Sequence, residues 1–166
     1  TKLVAQLMRD LGSIPAPMNS FILNLGLQTL HLRMAQHCSN AQRVAEFLQA
    51  DPRVAWVHYS GLPGDAYHEL AEKYLPGGSC GVIAFGLKGD RETAIRFMDS
   101  LDMINIVTHV ADARTCVLHP ASHTHRQLSD EQLREAGVAP DLIRLSVGIE
   151  DCDDILDDIR QALDKI

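Results

Sequence analysis

The chain has 166 residues, of which 46% are hydrophobic and 22% are charged, and its formal net charge is −7. This length can bury the core of one globular domain, and the negative charge argues against nucleic acid as a partner because phosphate groups require a basic surface. No apolar stretch is long enough to span a membrane, and the first residues lack the pattern of a signal peptide. The cysteines are far apart in the sequence and form no C-x-x-C pair, which indicates reduced thiols in a cytoplasmic protein: Cys38, Cys80, Cys116 and Cys152.

The first third of the chain has the apolar spacing of helices. An apolar stripe opens the chain, and a second helical pattern extends to Gln49. Asn19 or Ser20 is expected to cap this second pattern. Gly26 and the pair Ser39–Asn40 interrupt its regularity, so the sequence predicts either one long linking helix with a kink or two helices in series.

Strands are indicated by runs of β-forming residues between turn residues. The candidates lie at Val54–His58, Cys80–Leu87, Met103–Val107, Thr115–Leu118 and residues 143–147. Amphipathic segments predict the remaining helices, one of them opened by a capping box of Ser129 and Gln132. The sequence therefore predicts an α+β two-layer sandwich: a largely antiparallel sheet of about four strands, helices on one face and a long linking helix in front. The strands near Met103 and Thr115 are expected to pair antiparallel, because a short link joins them.

Arg144 is the most informative polar residue of the chain. Ile143, Leu145 and Val147 alternate with Arg144 and Ser146, which is the period of a half-buried strand and directs the guanidinium away from the core. A guanidinium donates two parallel hydrogen bonds to a carboxylate, so this position is a candidate for binding an anionic substrate. The alternative is an arginine on a solvated sheet face, paired with a nearby acid, which is the more common setting.

A second polar cluster places three histidines within seven residues, from His119 to His125. A zinc site is one hypothesis, but the spacing matches no established metal motif, and the alternative is a structured loop whose histidines donate to the backbone. Thr115 could offer its hydroxyl to a ligand or serve only as a β-forming residue. The chain has no nucleophile elbow, phosphate loop or dinucleotide-binding motif, and none of its four lysines has the apolar setting of a catalytic lysine. The residues alone thus offer one candidate for anion binding and no convincing catalytic group.

Several stretches together resemble the cystathionine/methionine-metabolism family of pyridoxal-phosphate (PLP) dependent enzymes. The motifs follow the family's order and cover nearly the whole chain: Ile14–Asn19, Gly26–Met34, Asn40–Leu48, His119–His125 and Ile143–Asp151. Three further stretches resemble the O-acetylhomoserine sulfhydrylase branch: Tyr59–Pro63, Tyr74–Gly78 and Gln127–Ser129. The methionine γ-lyase and cystathionine γ-synthase branches share the same framework and remain alternatives.

The resemblance implies roles for two residues. Arg144 corresponds to the arginine that binds the α-carboxylate of the amino-acid substrate, and Thr115 stands at a position, usually serine, that touches the same carboxylate. Cys116 replaces the usual leucine, and His123 replaces the usual threonine or methionine. The PLP-binding lysine of the family corresponds to no residue of this chain, so we expect the chain to hold no catalytic, cofactor-binding or metal-binding residue.

The resemblance also implies the organisation and activity of a longer protein. Residues 1–28 would be the end of the large PLP domain and the start of the linking helix, and residues 29–166 the C-terminal substrate domain. In the complete enzyme, PLP would serve as electron sink while O-acetylhomoserine loses acetate and gains sulfide or a thiol, giving homocysteine or methionine. Such an enzyme would be a cytoplasmic alkyl transferase of methionine biosynthesis. It would form a homo-oligomer, usually a tetramer in this family, and would have no nucleic-acid or membrane partner. The isolated chain would be inactive.

Two hypotheses from other classes stand beside this one. The first is a stand-alone, non-catalytic domain that binds an amino acid or a protein partner. The second is a zinc hydrolase that uses the histidine cluster between His119 and His125.

Overall fold

The computed structural model of the chain describes residues 2–12 and 14–166. It divides into two compact units, and the boundary falls between Leu32 and Arg33. The domain boundary expected after residue 28 concerns the arrangement of a longer protein, and it stays a prediction.

The first unit is helical and has an apolar surface. Its complete helical elements are a π-helix, Leu3–Met8, and the helices α1, Arg9–Leu11, and α2, Pro17–Gln28. None of its described residues is buried. Large apolar side chains such as Leu3, Phe21 and Leu27 are more than half exposed, so helical spacing in this unit does not correspond to a core.

The start of α2 differs from the prediction. Neither Asn19 nor Ser20 caps the helix, because both already lie inside it. The N-cap residue is Ala16, and Pro17 occupies the first turn. Proline suits this position, since its fixed φ is helical and its missing N–H would have no partner there.

The linking helix is two helices in series, the second of the two predicted arrangements. α2 ends at Gln28 with Thr29 as its C-cap, and α3 spans Leu30–Ala50. The break lies neither at Gly26 nor at Ser39–Asn40, which are both inside helices. A single interior glycine costs a helix only about 1 kcal/mol, which the rest of α2 absorbs.

The second unit contains most of α3 and all of the sheet. Its further elements are β1 (Val54–His58), α4 (His68–Tyr74), β2 (Val82–Leu87), α5 (Arg91–Asp99), β3 (Asn105–Ile106), β4 (Cys116–Leu118), α6 (Asp130–Glu135), β5 (Leu142–Ser146) and α7 (Cys152–Leu163). The capping box of α6 is confirmed: Ser129 N–H donates to Gln132 Oε1 at 2.9 Å, and Gln132 N–H donates to the Ser129 hydroxyl at 3.3 Å. Among the residues described, no helix is long and apolar enough to cross a membrane.

Five strands form one sheet in the order β1-β2-β5-β4-β3. The pairs β1–β2, β2–β5 and β4–β5 are antiparallel, which confirms the α+β class and the largely antiparallel sheet, with one strand more than predicted. β3 and β4 instead pair in parallel, so the antiparallel pairing expected near Met103 and Thr115 is wrong. Parallel neighbours cannot be joined by a tight hairpin, so the chain between them must return along the sheet. We call this connection, residues 107–115, the β3–β4 link.

One face of the sheet carries the core. The register places Leu145 of β5 beside Ile83 of β2 and Val117 of β4, and all three side chains are at most 1% exposed. Residues of α3, α5 and α7 belong to the same buried cluster, and Phe85 of β2 meets Phe97 of α5 edge to face at 5.9 Å. The other face of β4 and β5 is therefore directed away from this core.

Candidate functional site

Arg144 lies in the middle of β5, the central strand of the sheet. Its backbone is opposite Ala84 of β2 on one side and Leu118 of β4 on the other. Ile143 and Leu145 are buried in the core, so the half-buried side chain of Arg144 emerges on the opposite face. The predicted strand and the predicted facing of Arg144 are both confirmed, and two neighbouring strands fix the position of its backbone.

The guanidinium of Arg144 contacts the β3–β4 link. Its Nη2 donates to the carbonyl oxygen of Thr108 at 3.0 Å and to that of His109 at 3.1 Å. Among the side chains that the structure describes, no Asp or Glu forms an ion pair with Arg144. The positive charge is thus met by neutral carbonyls, so the guanidinium keeps its capacity for an anion.

A carboxylate that binds Arg144 through two parallel hydrogen bonds must use Nη2. The donors at the end of a guanidinium are Nη1 and Nη2, and those along its side are Nε and Nη2. Both hydrogens of Nη2 are already donated to the carbonyls of Thr108 and His109. A bidentate carboxylate therefore displaces at least one of these carbonyls, which couples anion binding to the position of the link.

Two further hydrogen bonds fasten the β3–β4 link near Arg144. The N–H of Ala111 donates to Ser146 Oγ at 3.1 Å, and the thiol of Cys116 donates to the carbonyl of His109 at 3.3 Å. Ser146 and Cys116 are partners in the β4–β5 ladder and share the face of Arg144. Ala111 adopts φ 60°, a left-handed conformation that residues other than glycine rarely take. The face that presents the guanidinium therefore also positions the segment above it.

Thr115 is buried, at 1% exposure, and its hydroxyl is engaged within the protein. It donates to Glu150 Oε2 at 2.9 Å and accepts from the N–H of Gly148 at 2.8 Å, while the backbone N–H of Thr115 donates to Glu150 Oε1 at 2.5 Å. These bonds fasten the turn that follows β5. The structure does not join Thr115 to Arg144 by a hydrogen bond, and a contact between Thr115 and a substrate carboxylate stays a prediction.

A cleft of about 310 Å³ borders β3 and the β3–β4 link. Asp112 lies between two nitrogen-bearing side chains there, 3.4 Å from His109 Nδ1 and 3.5 Å from Arg114 Nε. A hydrogen bond from the backbone N–H of Arg114 holds the pKa of Asp112 below its usual value. Because charges of both signs line this cleft, it is a less selective anion site than Arg144.

The histidine cluster forms a structured turn. His119 is fully buried, and its Nε2 lies 2.8 Å from the carbonyl oxygen of Pro140, while its Nδ1 lies 2.7 Å from Ser122 Oγ. Since a carbonyl only accepts, Nε2 carries the proton and Nδ1 accepts from the Ser122 hydroxyl. Burial lowers the pKa of His119, which favours this neutral form.

For His119 and His123 this arrangement confirms the predicted alternative in which the histidines donate to the backbone, since His123 Nδ1 also lies 3.1 Å from the carbonyl of His119. His125 Nδ1 instead lies 2.9 Å from the hydroxyl of Thr124. Within residues 2–12 and 14–166, no group of three or more His, Cys, Asp or Glu side chains is arranged to hold a metal ion. The zinc hypothesis therefore has no ligand set in this part of the chain.

The lysines of the chain do not fit the role of the lysine that would hold the implied cofactor. The lysines are exposed: Lys2, Lys73, Lys88 and Lys165. The Nζ of Lys73 lies over the ring of Tyr74, and that of Lys165 donates to the carbonyl of Ser100 at 3.3 Å. A lysine that holds PLP must lie in an enclosed site with donors for a phosphate, and these lysines do not.

Known proteins are similar to this chain over almost its whole length. Residues 1–164 match the family described as Cys/Met metabolism PLP-dependent enzymes. O-acetyl-L-homoserine sulfhydrylase 1 of Thermus thermophilus is 43% identical over 156 residues, which cover 94% of this chain and 37% of that protein. Homocysteine synthase of Schizosaccharomyces pombe is 44% identical over 159 residues, which cover 96% of this chain and 37% of that protein.

A solved structure shows the same fold. The crystal structure of a protein described as an O-acetylhomoserine (thiol)-lyase, from Campylobacter jejuni, contains a pyridoxyl-lysine monophosphate residue and matches with a TM-score of 0.91 and 38% identity. The match covers 98% of this chain and 39% of that one, so the chain spans well under half the length of the relatives it matches. With a match over almost its whole length, the chain belongs to the family of PLP-dependent enzymes of cysteine and methionine metabolism.

Proposed function

We propose that this chain is the C-terminal, substrate-binding part of a PLP-dependent O-acetylhomoserine sulfhydrylase. The reaction replaces the acetate of O-acetylhomoserine by sulfide or a thiol and gives homocysteine or methionine. The observation that carries the proposal is Arg144: a guanidinium on the central strand, without a carboxylate partner among the described side chains. The names of the relatives support the choice of branch.

In this proposal Arg144 binds the α-carboxylate of the amino-acid substrate and sets its orientation. β2 and β4 hold the backbone of Arg144 from both sides, so the guanidinium is presented from a rigid element. The carboxylate replaces the carbonyl of Thr108 or His109 at Nη2, and the link adjusts as it does so. Thr115 is assigned a second contact with the same carboxylate, and its hydroxyl is also bound to Glu150 and to the N–H of Gly148.

The lysine that holds PLP lies, in this proposal, outside the present chain, because the lysines here are exposed. Residues 1–28 are assigned to the end of a large PLP domain and the start of the linking helix, and residues 29–166 to the substrate domain. The exposed apolar side chains before Arg33 support this assignment, since a helical surface of that kind requires a cover in the complete protein. A cytoplasmic homo-oligomer, a tetramer as expected for the family, completes the proposal. The scattered cysteines, which form no C-x-x-C pair, support a reducing compartment.

The test is Arg144→Lys in the complete polypeptide. Lysine keeps the charge but loses the planar fork, so we expect the KM for O-acetylhomoserine to rise. We expect kcat/KM to fall roughly 30- to 4000-fold, which corresponds to a loss of about 2–5 kcal/mol of transition-state stabilisation. The KM for sulfide should stay within about twofold, because sulfide does not use this carboxylate site. Arg96→Lys, an exposed position on α5, is the matched control. Unchanged kinetics in Arg144→Lys would exclude the carboxylate role.

Product analysis of the same enzyme tests the branch. Homocysteine and acetate support the proposal, whereas 2-oxobutanoate with ammonia indicates a γ-lyase, and cystathionine formed from cysteine indicates a cystathionine γ-synthase. A gene product that consists of this chain alone and binds an amino acid without turnover would instead indicate a non-catalytic domain.

A further inference from the structure

Two of the cysteines lie on segments that pack against each other although they are distant in the sequence. Cys38 is on α3, and Cys80 lies two residues before β2. Gly78 packs directly on Cys38: a Cβ built at position 78 would lie 2.7 Å from Cys38 Cβ and 2.8 Å from its Sγ. The segment that contains Cys80 therefore crosses α3 at Cys38. Burial is the main cause that raises the pKa of Cys38, and the negative charge of a Cys80 thiolate raises it further. The second effect is expected for neighbouring thiols.

Tyr59 is the third member of this cluster. Its hydroxyl donates to the carbonyl oxygen of Cys80 at 3.0 Å and so fixes the backbone there. Burial raises the pKa of Tyr59, and the charges of the Cys80 and Cys38 thiolates raise it further. The thiol of Cys80 lies 3.4 Å from the carbonyl of Val82. Tyr59 thus fixes the backbone of Cys80 and lines the same cleft as Cys38.

Cys38 and Cys80 are more accessible than the other cysteines, since both are half-buried. Cys38 also lines a cleft of about 630 Å³, together with Tyr59, Gly78 and Ser79 among others. Cys116 and Cys152 are buried, at 3% and 5% exposure. Access to a thiol largely decides which cysteines in a protein exchange with disulfides.

We propose that Cys38 and Cys80 form a redox-responsive dithiol that closes to a disulfide by exchange with a low-molecular-weight disulfide such as glutathione disulfide. One thiolate attacks the reagent and releases one thiol, and the other thiolate attacks the resulting mixed disulfide and releases the second. The two protein sulfurs are oxidised, the reagent is reduced to two thiols, and the protein loses two protons. The bond ties α3 to the segment that enters β2, and this proposal does not depend on the enzymatic activity.

The test is disulfide mapping on the complete chain. Trypsin separates the four cysteines into different peptides: residues 34–43, 74–88, 115–126 and 145–160. After incubation with glutathione disulfide and quenching in acid, we expect peptide 34–43 linked to peptide 74–88 and an intact mass lower by about 2 Da, which dithiothreitol reverses. The peptides of Cys116 and Cys152 should remain free thiols in the same sample and serve as internal controls.

Single variants show whether the two cysteines act as a pair. In Cys38→Ser, Cys80 should retain glutathione as a mixed disulfide, and in Cys80→Ser, Cys38 should do so, with circular dichroism confirming that both variants are folded. The proposal is overturned if the unmodified chain carries two separate glutathione adducts, if both thiols stay free, or if either one is linked to Cys116 or Cys152.

Discussion

The two faces of the sheet are built from the same strands but stabilised in different ways. On the core face, Leu145 and its neighbours Ile83 and Val117 are buried against α3, α5 and α7. On the other face, Arg144 and Ser146 meet the irregular backbone of the β3–β4 link through hydrogen bonds. The buried apolar side chains make no hydrogen bonds that a ligand could replace. The guanidinium of Arg144, by contrast, can exchange its bonds to carbonyls for bonds to an anion. Adjacent residues of β5 are therefore expected to differ sharply: one face determines stability and the other binding.

The largest expected effect on stability comes from the core face. Leu145→Ala removes a side chain that is 1% exposed, and such a substitution lowers the free energy of unfolding by about 2–5 kcal/mol through lost burial and the cavity left behind. Arg144→Met is the neighbouring control: it keeps the apolar stem and loses two hydrogen bonds to the link, for an expected loss of about 1–2 kcal/mol. Urea denaturation of both variants measures the difference. Equal losses would show that the two faces do not divide stability and binding as described.

Substitutions at Thr115 test whether its buried hydroxyl stabilises the fold or binds the substrate. Thr115→Val leaves the N–H of Gly148 without its acceptor and removes one donor from Glu150, so the free energy of unfolding should fall by about 1–3 kcal/mol. Thr115→Ser keeps the hydroxyl and should cost less than about 1 kcal/mol. Denaturation curves of the two variants give this comparison. If Thr115→Val instead unfolds like the wild type and only raises the KM of the complete enzyme, the hydroxyl serves the substrate rather than the turn.

His119 extends the comparison to a buried titratable group at the end of β4. Burial lowers the pKa of this histidine in the folded chain, so the unfolded state binds its proton at a higher pH. The contribution of His119 to stability is complete above the unfolded pKa of about 6.5 and is lost as the pH falls below it, with a slope of at most about 1.4 kcal/mol per pH unit.

The measurement is the free energy of unfolding between about pH 7 and pH 5, a range above the titration of ordinary carboxylates. His119→Gln should weaken the pH dependence in this range, and His31→Gln, at an exposed position, should leave it unchanged. The same slope in His119→Gln and in the wild type would show that another group is responsible.

The sequence was sufficient to locate β5 and to direct Arg144 away from the core, because alternation along a strand is a local property. It was not sufficient to identify the carbonyls of Thr108 and His109 as its partners. These carbonyls lie in irregular backbone, and their path depends on the parallel pairing of β3 with β4, which the short connection argued against. Parallel pairing forces the chain back along the sheet, and this return brings the link to Arg144.

The engagement of Thr115 was also beyond sequence reasoning. Its partner Glu150 is 35 residues away, and neither residue carries a local signal for the pair. Ser146 was placed on the face of Arg144 by alternation, but its role depends on Ala111, whose left-handed backbone leaves no mark in the sequence. Contacts made by side chains across a link depend on tertiary path, and residue spacing does not encode that path.

The smallest expected effect, and one of opposite sign, lies in the β3–β4 link at Ala111. With φ 60°, an alanine there bears about 1–2 kcal/mol of strain that glycine relieves, whereas the greater freedom of glycine in the unfolded chain costs about 0.5–1 kcal/mol. Ala111→Gly should therefore raise the free energy of unfolding by a few tenths to about 1 kcal/mol, and the hydrogen bond to Ser146 survives because the backbone N–H donates it. Ala113→Gly, in the same link but outside the left-handed region, has no strain to relieve and should lose about 0.5–1 kcal/mol. The sign of the difference between these two variants is the critical readout in urea denaturation. A gain only at Ala111 shows that the link adopts this conformation over Arg144, and equal losses at both positions would show that it does not.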